Sequence, residues 1–259
     1  MTTIKEKDFI ELTYTGTIKE DNIVFDTTDE KIAKDNNIYN EQMNYKPIII
    51  CIGQGQLIKG LDHQLIGKEV GKEYTFEIPP EQGFGKKSAK LLKMIPLSVF
   101  RKQNIQPMTG LQVNIDGIVG IIRTVTGGRT IVDFNHPLAS KNLLYNVKLN
   151  KTITDDKDKI SAFILLELGL ETKKIEINQG NAKVFIKKES LDTIKDKKDK
   201  VSNKIVELID TVKGVEFVAD VKSSENKKEH KKDKQETEIK ENKTETKEQE
   251  NKEKQETKK

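Results

Sequence analysis

GQGQLIKGLDHQLIGKEVGKEYTFEIPPEQGFG, residues 53–85, decides how the rest of the chain is read. Gly53 and Gly55 make a tight turn. Gly60 and Gly67 then bracket LDHQLI, which is short and amphipathic and reads as one helix. Gly71 precedes Tyr74, Phe76 and Ile78, whose alternation predicts a strand, and Pro79-Pro80 turn the chain again. This layout places Leu57 and Ile58 at the entrance of the helix, as the floor of a small apolar cup.

Upstream, DFIELTYTGTI (8–18) alternates as a strand, with Phe9, Glu11 and Thr13 on one face and Ile10, Leu12 and Tyr14 on the other. Ile23–Phe25 is a second short strand, and Pro47 opens another, IIICI. Residues 27–46 are polar, rich in Asn and Asp and without a period, and read as a long surface loop. Downstream, LLKMI, LQVNI, GIVGIIRTV and RTIVDF are strands of a separate β-rich unit, with Gly127-Gly128 as a hairpin turn. Leu143–Leu149 returns to a strand, and the apolar run ISAFILLELGL reads as a closing strand. Residues 172–221 predict a small α+β unit of two strands, a helix over 190–213 capped by Ser190, and a last strand VEFVADV. In 222–259, 13 Lys alternate with 11 acids around a single Ile239, so no core can form there and a disordered tail is expected.

Charged residues make up 34% of the chain but nearly balance, at +4, which argues against a specific nucleic-acid binder. Lone Cys51 sits in an apolar run and allows no internal disulfide, as expected for a reducing cytoplasm. TTIKEKD after Met1 has no apolar signal core, and no run approaches the roughly 20 residues of a membrane span. A cytoplasmic protein that binds no membrane is expected.

Catalytic groups are nearly absent. His63, His136 and His230 are scattered without metal-ligand spacing, and neither a G-x-S-x-G elbow nor a phosphate loop occurs. His63 reads as a surface residue, His136 as a structural loop residue and Cys51 as packing. What remains is a set of apolar and aromatic residues beside turns: Tyr14, Phe25, Ile48, Leu57, Ile58, Leu61, Phe84 and Tyr145.

Those residues fall in TYTG (13–16), FD (25–26), P-I-x-I-x-I-G (47–53), the opening stretch and NHPLASKNLLYNV (135–147). In that order the segments resemble the FKBP-type peptidyl-prolyl cis-trans isomerases. The insert between Gly85 and Asn135 is similar to the insert-in-flap chaperone domain of the SlyD-like branch, long archaeal type. The likeness covers about residues 4–170. It implies an α+β fold: an FKBP-like antiparallel sheet around a short helix, an inserted β-rich flap domain and an additional small C-terminal α+β domain. The implied domains are 1–86 with 135–171 (isomerase), 87–134 (insert), 172–221 and the tail 222–259.

The resemblance also implies the chemistry. Rotation about an Xaa–Pro amide crosses a barrier of about 18–20 kcal/mol without any bond to the enzyme. A dry pocket favours the twisted, less polar amide. The implied catalytic set is Tyr14, Phe25, Asp26, Phe84 and Tyr145, with Ile48, Leu57, Ile58 and Leu61 binding substrate. Asp26 would stand at the rim beside Tyr14, and the Ile58 N–H would hold a substrate carbonyl. Read alone, each aromatic is ordinary core and Asp26 a turn cap.

Leu61 stands where the family often has Trp, Phe84 where it has Tyr, and Ser140 where it has Gly. The first two changes imply weak macrolide binding. A tail with one histidine and no Cys implies no nickel storage, and no cofactor or metal is expected. In the insert, Met94, Ile95, Leu97, Val99 and Phe100 are either a patch that captures unfolded chain or the insert's own small core. The implied partners are unfolded or nascent polypeptides containing Xaa–Pro bonds, met by a monomer. Two other readings are a holdase chaperone with a vestigial pocket and a ribosome-associated factor.

Overall fold

The computed structural model describes residues 2–220, and the expectation for 222–259 lies outside them. In chain order the first elements are β1 (Phe9–Ile18), β2 (Ile23–Thr27), α1 (Glu30–Asp35), β3 (Ile48–Cys51), α2 (Lys59–Leu65) and β4 (Glu73–Ile78). Next come β5 (Leu92–Pro96), α3 (Leu97–Lys102), β6 (Gln112–Ile115), β7 (Ile118–Thr126) and β8 (Arg129–Asp133). The last are β9 (Leu143–Thr152), α4 (Asp156–Leu168), β10 (Lys174–Asn178), β11 (Asn181–Ile186), α5 (Lys188–Thr193), α6 (Lys195–Leu208) and β12 (Gly214–Ala219). They divide into two compact units, one ending at Phe163 and one beginning at Ile164, each described by itself. This is the α+β class expected, with antiparallel sheets in the first unit. Among the described residues no helix is long and apolar enough to cross a membrane.

The main sheet of the first unit runs β2-β1-β9-β4, and β3 also pairs with β1. β1 changes partner along its length: Phe9–Leu12 face β3, whereas Thr15–Ile18 face β2. Tyr14 sits in the gap between them, where Thr28 takes over the ladder. The Tyr14 N–H donates to Thr28 Oγ1 at 2.9 Å, and the Thr28 N–H donates to the Tyr14 carbonyl at 3.0 Å. The backbone N–H and carbonyl of Tyr14 are thereby both paired at the switch.

One face of this sheet carries the core. Ile10, Leu12, Val147, Leu149, Phe76 and Ile78 meet Leu61 and Leu65 of α2 in a single cluster. Each such side chain contributes about 1.5–3 kcal/mol on burial. α2 can lie this close because position 60 is glycine; a Cβ there would stand 2.8 Å from Ile78 Cγ2 and from Gln82 Cβ.

The insert is a four-stranded sheet, β5-β8-β7-β6, with its own core of Phe100, Val113, Ile122 and Val132. In the second unit β10 and β11 form a hairpin, and α5 and α6 cross over to β12, which runs parallel to β11. α6 buries Val201, Ile205 and Leu208, the helical period read from the sequence.

Three expectations are corrected. ISAFILLELGL is not a closing strand; its first nine residues belong to α4, begun by Asp155, whose Oδ1 accepts from the N–H groups of Lys157 and Asp158. A continuous apolar run has no period to separate strand from helix, and the cap decides. The 27–46 loop contains α1, where Asp29 accepts from the Ile32 N–H and Ala33 is buried. The helix expected over 190–213 is two, α5 and α6, and Ser190 lies inside α5 rather than capping it.

Candidate active site

Tyr14, anchored at the sheet's partner switch, points its phenol at β2. Its Oη donates to Asp26 Oδ2 at 2.6 Å. Burial, and then the adjoining carboxylate, push the Tyr14 phenol far above its ordinary range, so it remains a donor. Burial and Asp26 act in the same direction on Tyr145. Asp26 therefore has one oxygen fixed, while Oδ1 meets no donor among the described residues.

The Tyr145 ring lies 5.8 Å from Tyr14, tilted, and 5.8 Å from Phe25, edge to face. Such offset pairs add about 0.5–1.5 kcal/mol beyond their area. Phe25 reaches this position across Gly16, where a Cβ would lie 2.7 Å from Phe25 Cζ. The glycine of TYTG thus clears space for an aromatic wall.

Ile48 enters from β3, while Leu57 and Ile58 come from the loop before α2; all three are half-buried and pack on the main core. Ile58 caps α2 with extended backbone (φ −61°, ψ 143°), and its N–H has no acceptor among the described residues. Leu61 is 0% exposed, so it supports the floor from within the core and presents no surface to a ligand.

Two residues brace this assembly: Asp62, which the sequence reading passed over, and His136, which it read as a structural loop residue. Asp62 is buried on α2, and both its carboxylate oxygens accept from the Gly53 N–H, at 3.0 and 3.1 Å. That bond ties the turn before Leu57 to the helix after Ile58. His136 stacks flat on Phe84, with ring centroids 4.3 Å apart and an interplanar angle of 3°. Its Nδ1 accepts from the Leu138 N–H, which sets the ring plane. Nothing local in the sequence announces either contact; Phe84 and His136 are separated by the whole insert.

The two chain crossings into the insert are laced together. Ser140 N–H donates to the Gly85 carbonyl, and Ser140 Oγ accepts from the Lys87 N–H, both at 2.8 Å. Ser140 adopts φ 63°, the left-handed region in which glycine is the usual occupant. Asn135 exchanges bonds with Ser88 and donates to Asp133, which also receives the Arg123 guanidinium at 3.0 Å. Burial pushes the Asp133 carboxyl up, but the Asn135 and Arg123 donors outweigh it and leave it lowered.

Tyr14, Phe25, Ile48, Leu57, Ile58 and Phe84 are thus half-buried on one core, with Tyr145 and Leu61 inside it and Asp26 bonded to Tyr14. The five insert residues do not stay together. Phe100 is 1% exposed and is core, and Ile95 packs on that core, which corrects their place in a surface patch. Leu97 and Val99 are half-buried, and only Met94 is open, at 59%. A cavity of about 670 Å³, lined among others by Thr13, Thr15, Thr75 and Asn146, shares only Tyr14 with the expected set. Thr13 and Thr15 alternate with Tyr14 along β1, so it opens on the opposite side of the sheet. Among the described residues no three His, Cys, Asp or Glu gather to hold a metal ion.

Residues 1–100 match the family profile of FKBP-type peptidyl-prolyl cis-trans isomerases, and residues 93–138 match that described as FKBP26, IF domain. The short-type peptidyl-prolyl cis-trans isomerase of Methanocaldococcus jannaschii is 38% identical over 146 residues, 56% of this chain and 92% of that one. The FKBP-type 16 kDa isomerase of Escherichia coli is 32% identical over 111 residues, 41% of this chain and 74% of the relative. The SlyD isomerase of Haemophilus influenzae is 28% identical over 135 residues, 50% and 70% of the two chains.

Proposed function

This chain belongs to the FKBP-type peptidyl-prolyl cis-trans isomerase family, and from that premise we propose that it turns Xaa–Pro bonds of unfolded or nascent polypeptides in the cup around Tyr14, Phe25 and Phe84. The observation that carries this reading is the grouping of half-buried aromatic and aliphatic side chains on one core beside the Tyr14–Asp26 hydrogen bond.

The prolyl ring enters between Phe25, Ile48, Leu57 and Phe84, against Tyr145. Water leaves as it enters. The planar amide, whose resonance form separates charge, loses solvation, while the twisted amide loses less. That difference accelerates rotation, because only interactions that favour the twisted state lower the barrier. The Ile58 N–H, having no acceptor within the described fold, holds a substrate carbonyl. Asp26, with Oδ2 fixed by Tyr14, directs Oδ1 and its charge toward the rotating amide. Phe84 lacks the phenol of the family's tyrosine, and stacking on His136 replaces that anchor. Macrolide inhibitors, which profit from the hydroxyl, bind weakly.

The insert captures unfolded segments and holds them near the cup, which raises the local concentration of prolyl bonds. A monomer in the cytoplasm suffices for this work.

Proline-limited refolding of a model protein tests the proposal. Phe84→Ala removes a wall whose burial is worth about 1.5–3 kcal/mol and should lower kcat/KM about tenfold to a hundredfold. Asp26→Leu should lower it as well, and unchanged rates in both variants reject the cup. Replacing residues 87–134 by a short linker should leave turnover of prolyl tetrapeptides intact and slow refolding. Negligible tetrapeptide turnover by the intact chain would instead make it a holdase.

A further inference from the structure

The insert's charge differs in kind from that of the rest of the chain. Residues 87–134 contain seven Lys and Arg against two acids, Asp116 and Asp133, a net charge of +5. The other 211 residues together carry −1. Asp133 is buried and occupied by Arg123, so it contributes nothing to the surface. Among the described residues, Lys90, Lys93, Arg101, Lys102 and Arg129 have no carboxylate within ion-pair distance.

One of these cations, Arg129, borders an open apolar face. Partners across the β5–β8 and β7–β8 ladders share a side of the sheet. Ile95, Thr130 and Val125 fall on the side that carries Ile122 and Val132, facing the insert core. Met94, Ile131 and Thr124 fall on the other, as do Leu92 and, at the end of the ladder, Arg129. There Met94 is 59% exposed, Leu92 45% and Ile131 36%. The Arg129 guanidinium donates to Met94 Sδ at 3.5 Å, so charge and apolar surface are in direct contact.

Resting on the reading of the insert as a capture surface, we propose that this face selects its clients by charge: it takes extended apolar segments of other polypeptides flanked by Asp and Glu, and discriminates against segments flanked by Lys and Arg. An apolar segment laid over Leu92, Met94 and Ile131 brings one flank to Arg129, the cation on that side of the sheet, within the field of the insert's other cations. Acidic flanks gain there what basic flanks lose. Met94 is unbranched and adapts to many apolar shapes, which suits varied clients. A single-stranded nucleic acid would meet the same charge but needs exposed rings on which to stack bases. The insert's aromatic residues are Phe100 and Phe134, and both belong to its core packing.

The test uses the full chain and two labelled peptides that lack proline and share one central run of Leu, Val and Ser. One carries about four Asp on each flank and the other about four Lys, and fluorescence anisotropy reads binding. At low salt the acidic peptide should bind at least about tenfold more tightly, and the advantage should fall below about threefold near 0.5 M salt as screening shortens the reach of the charges. Arg129→Glu should cut the preference at least about threefold; if that variant does not fold, the salt titration of the unaltered chain carries the test alone. Equal binding of the two peptides overturns the charge selection and leaves the capture reading standing. Binding of neither overturns the capture reading itself. Single-stranded RNA that displaces the acidic peptide, with an affinity unchanged by Met94→Ser and Ile131→Ser, assigns the face to nucleic acid and overturns the proposal.

Discussion

The isomerase body and the insert use apolar side chains in opposite ways. In the body, thirteen buried residues form one cluster, and its functional side chains are half-sunk around that cluster. The insert closes on four buried residues, yet among the described residues it holds seven of the twelve large apolar side chains that are exposed. The proposed cup would hold one small ring in one geometry, and its side chains are fixed by packing, by Gly16 and by the Tyr14–Asp26 bond. The proposed capture surface would accept many segments, and Leu92, Met94 and Ile131 stand exposed. The difference teaches that burial, rather than residue type, separates the two sets of side chains.

The sharpest way to break this comparison is to truncate the residue that the sequence left between patch and core. Phe100→Ala should destabilise the insert by about 3–5 kcal/mol, the usual loss for a buried Phe. Hydrogen exchange over residues 91–133 would report it, while tetrapeptide turnover persists. An insert of unchanged stability with weakened client binding would return Phe100 to the surface patch.

A smaller effect is expected in the cup. Gly16→Ala pushes the Phe25 ring aside and should lower kcat/KM on prolyl tetrapeptides about tenfold, close to 1.4 kcal/mol. Client binding by the insert should not change. If turnover is untouched, Phe25 is not a wall.

Alkaline pH probes the same aromatic group. The raised phenols of Tyr14 and Tyr145 keep their protons in the folded chain when the unfolded chain has lost them. The stabilisation is therefore complete below the ordinary phenol range and declines as pH rises above it. Each phenol steepens that decline by at most about 1.4 kcal/mol per pH unit. Denaturant unfolding of Tyr14→Phe should fall less steeply above about pH 10 than that of the unaltered chain. Parallel curves would deny the phenol its burial.

The smallest effect belongs to the junction. Ser140→Gly relieves left-handed backbone costing about 1–2 kcal/mol and removes a hydrogen bond worth about 0.5–1.5 kcal/mol. The net change in unfolding free energy should stay within about 1 kcal/mol. A loss beyond about 2 kcal/mol would mean that the Ser140 tether to Lys87 dominates the joint.

Much of this was legible in residue order. Glycine brackets around LDHQLI announced α2, and alternation announced β1, β4 and β9. The ordered segments pointed to the residues that pack on one core. What escaped the reading shares one cause. Asp62 acts on Gly53, and His136, read as a structural loop residue, stacks on Phe84; both partners lie outside the residue's own element, and local order carries no sign of them. The run after Asp155 offered no period, so strand and helix could not be told apart. The overall charge of +4 concealed the insert's +5, because a sum discards position.

Periodicity, turn chemistry and motif order by themselves determined the α+β class and the family, since each is a property of neighbours along the chain. Only the tertiary structure decided that Leu61 and Phe100 lie inside while Met94 and Ile131 stay open, that Asp62 ties down Gly53, and that His136 backs Phe84. Those facts depend on which surfaces meet after the chain has closed, and contacts between distant residues leave no trace in local order.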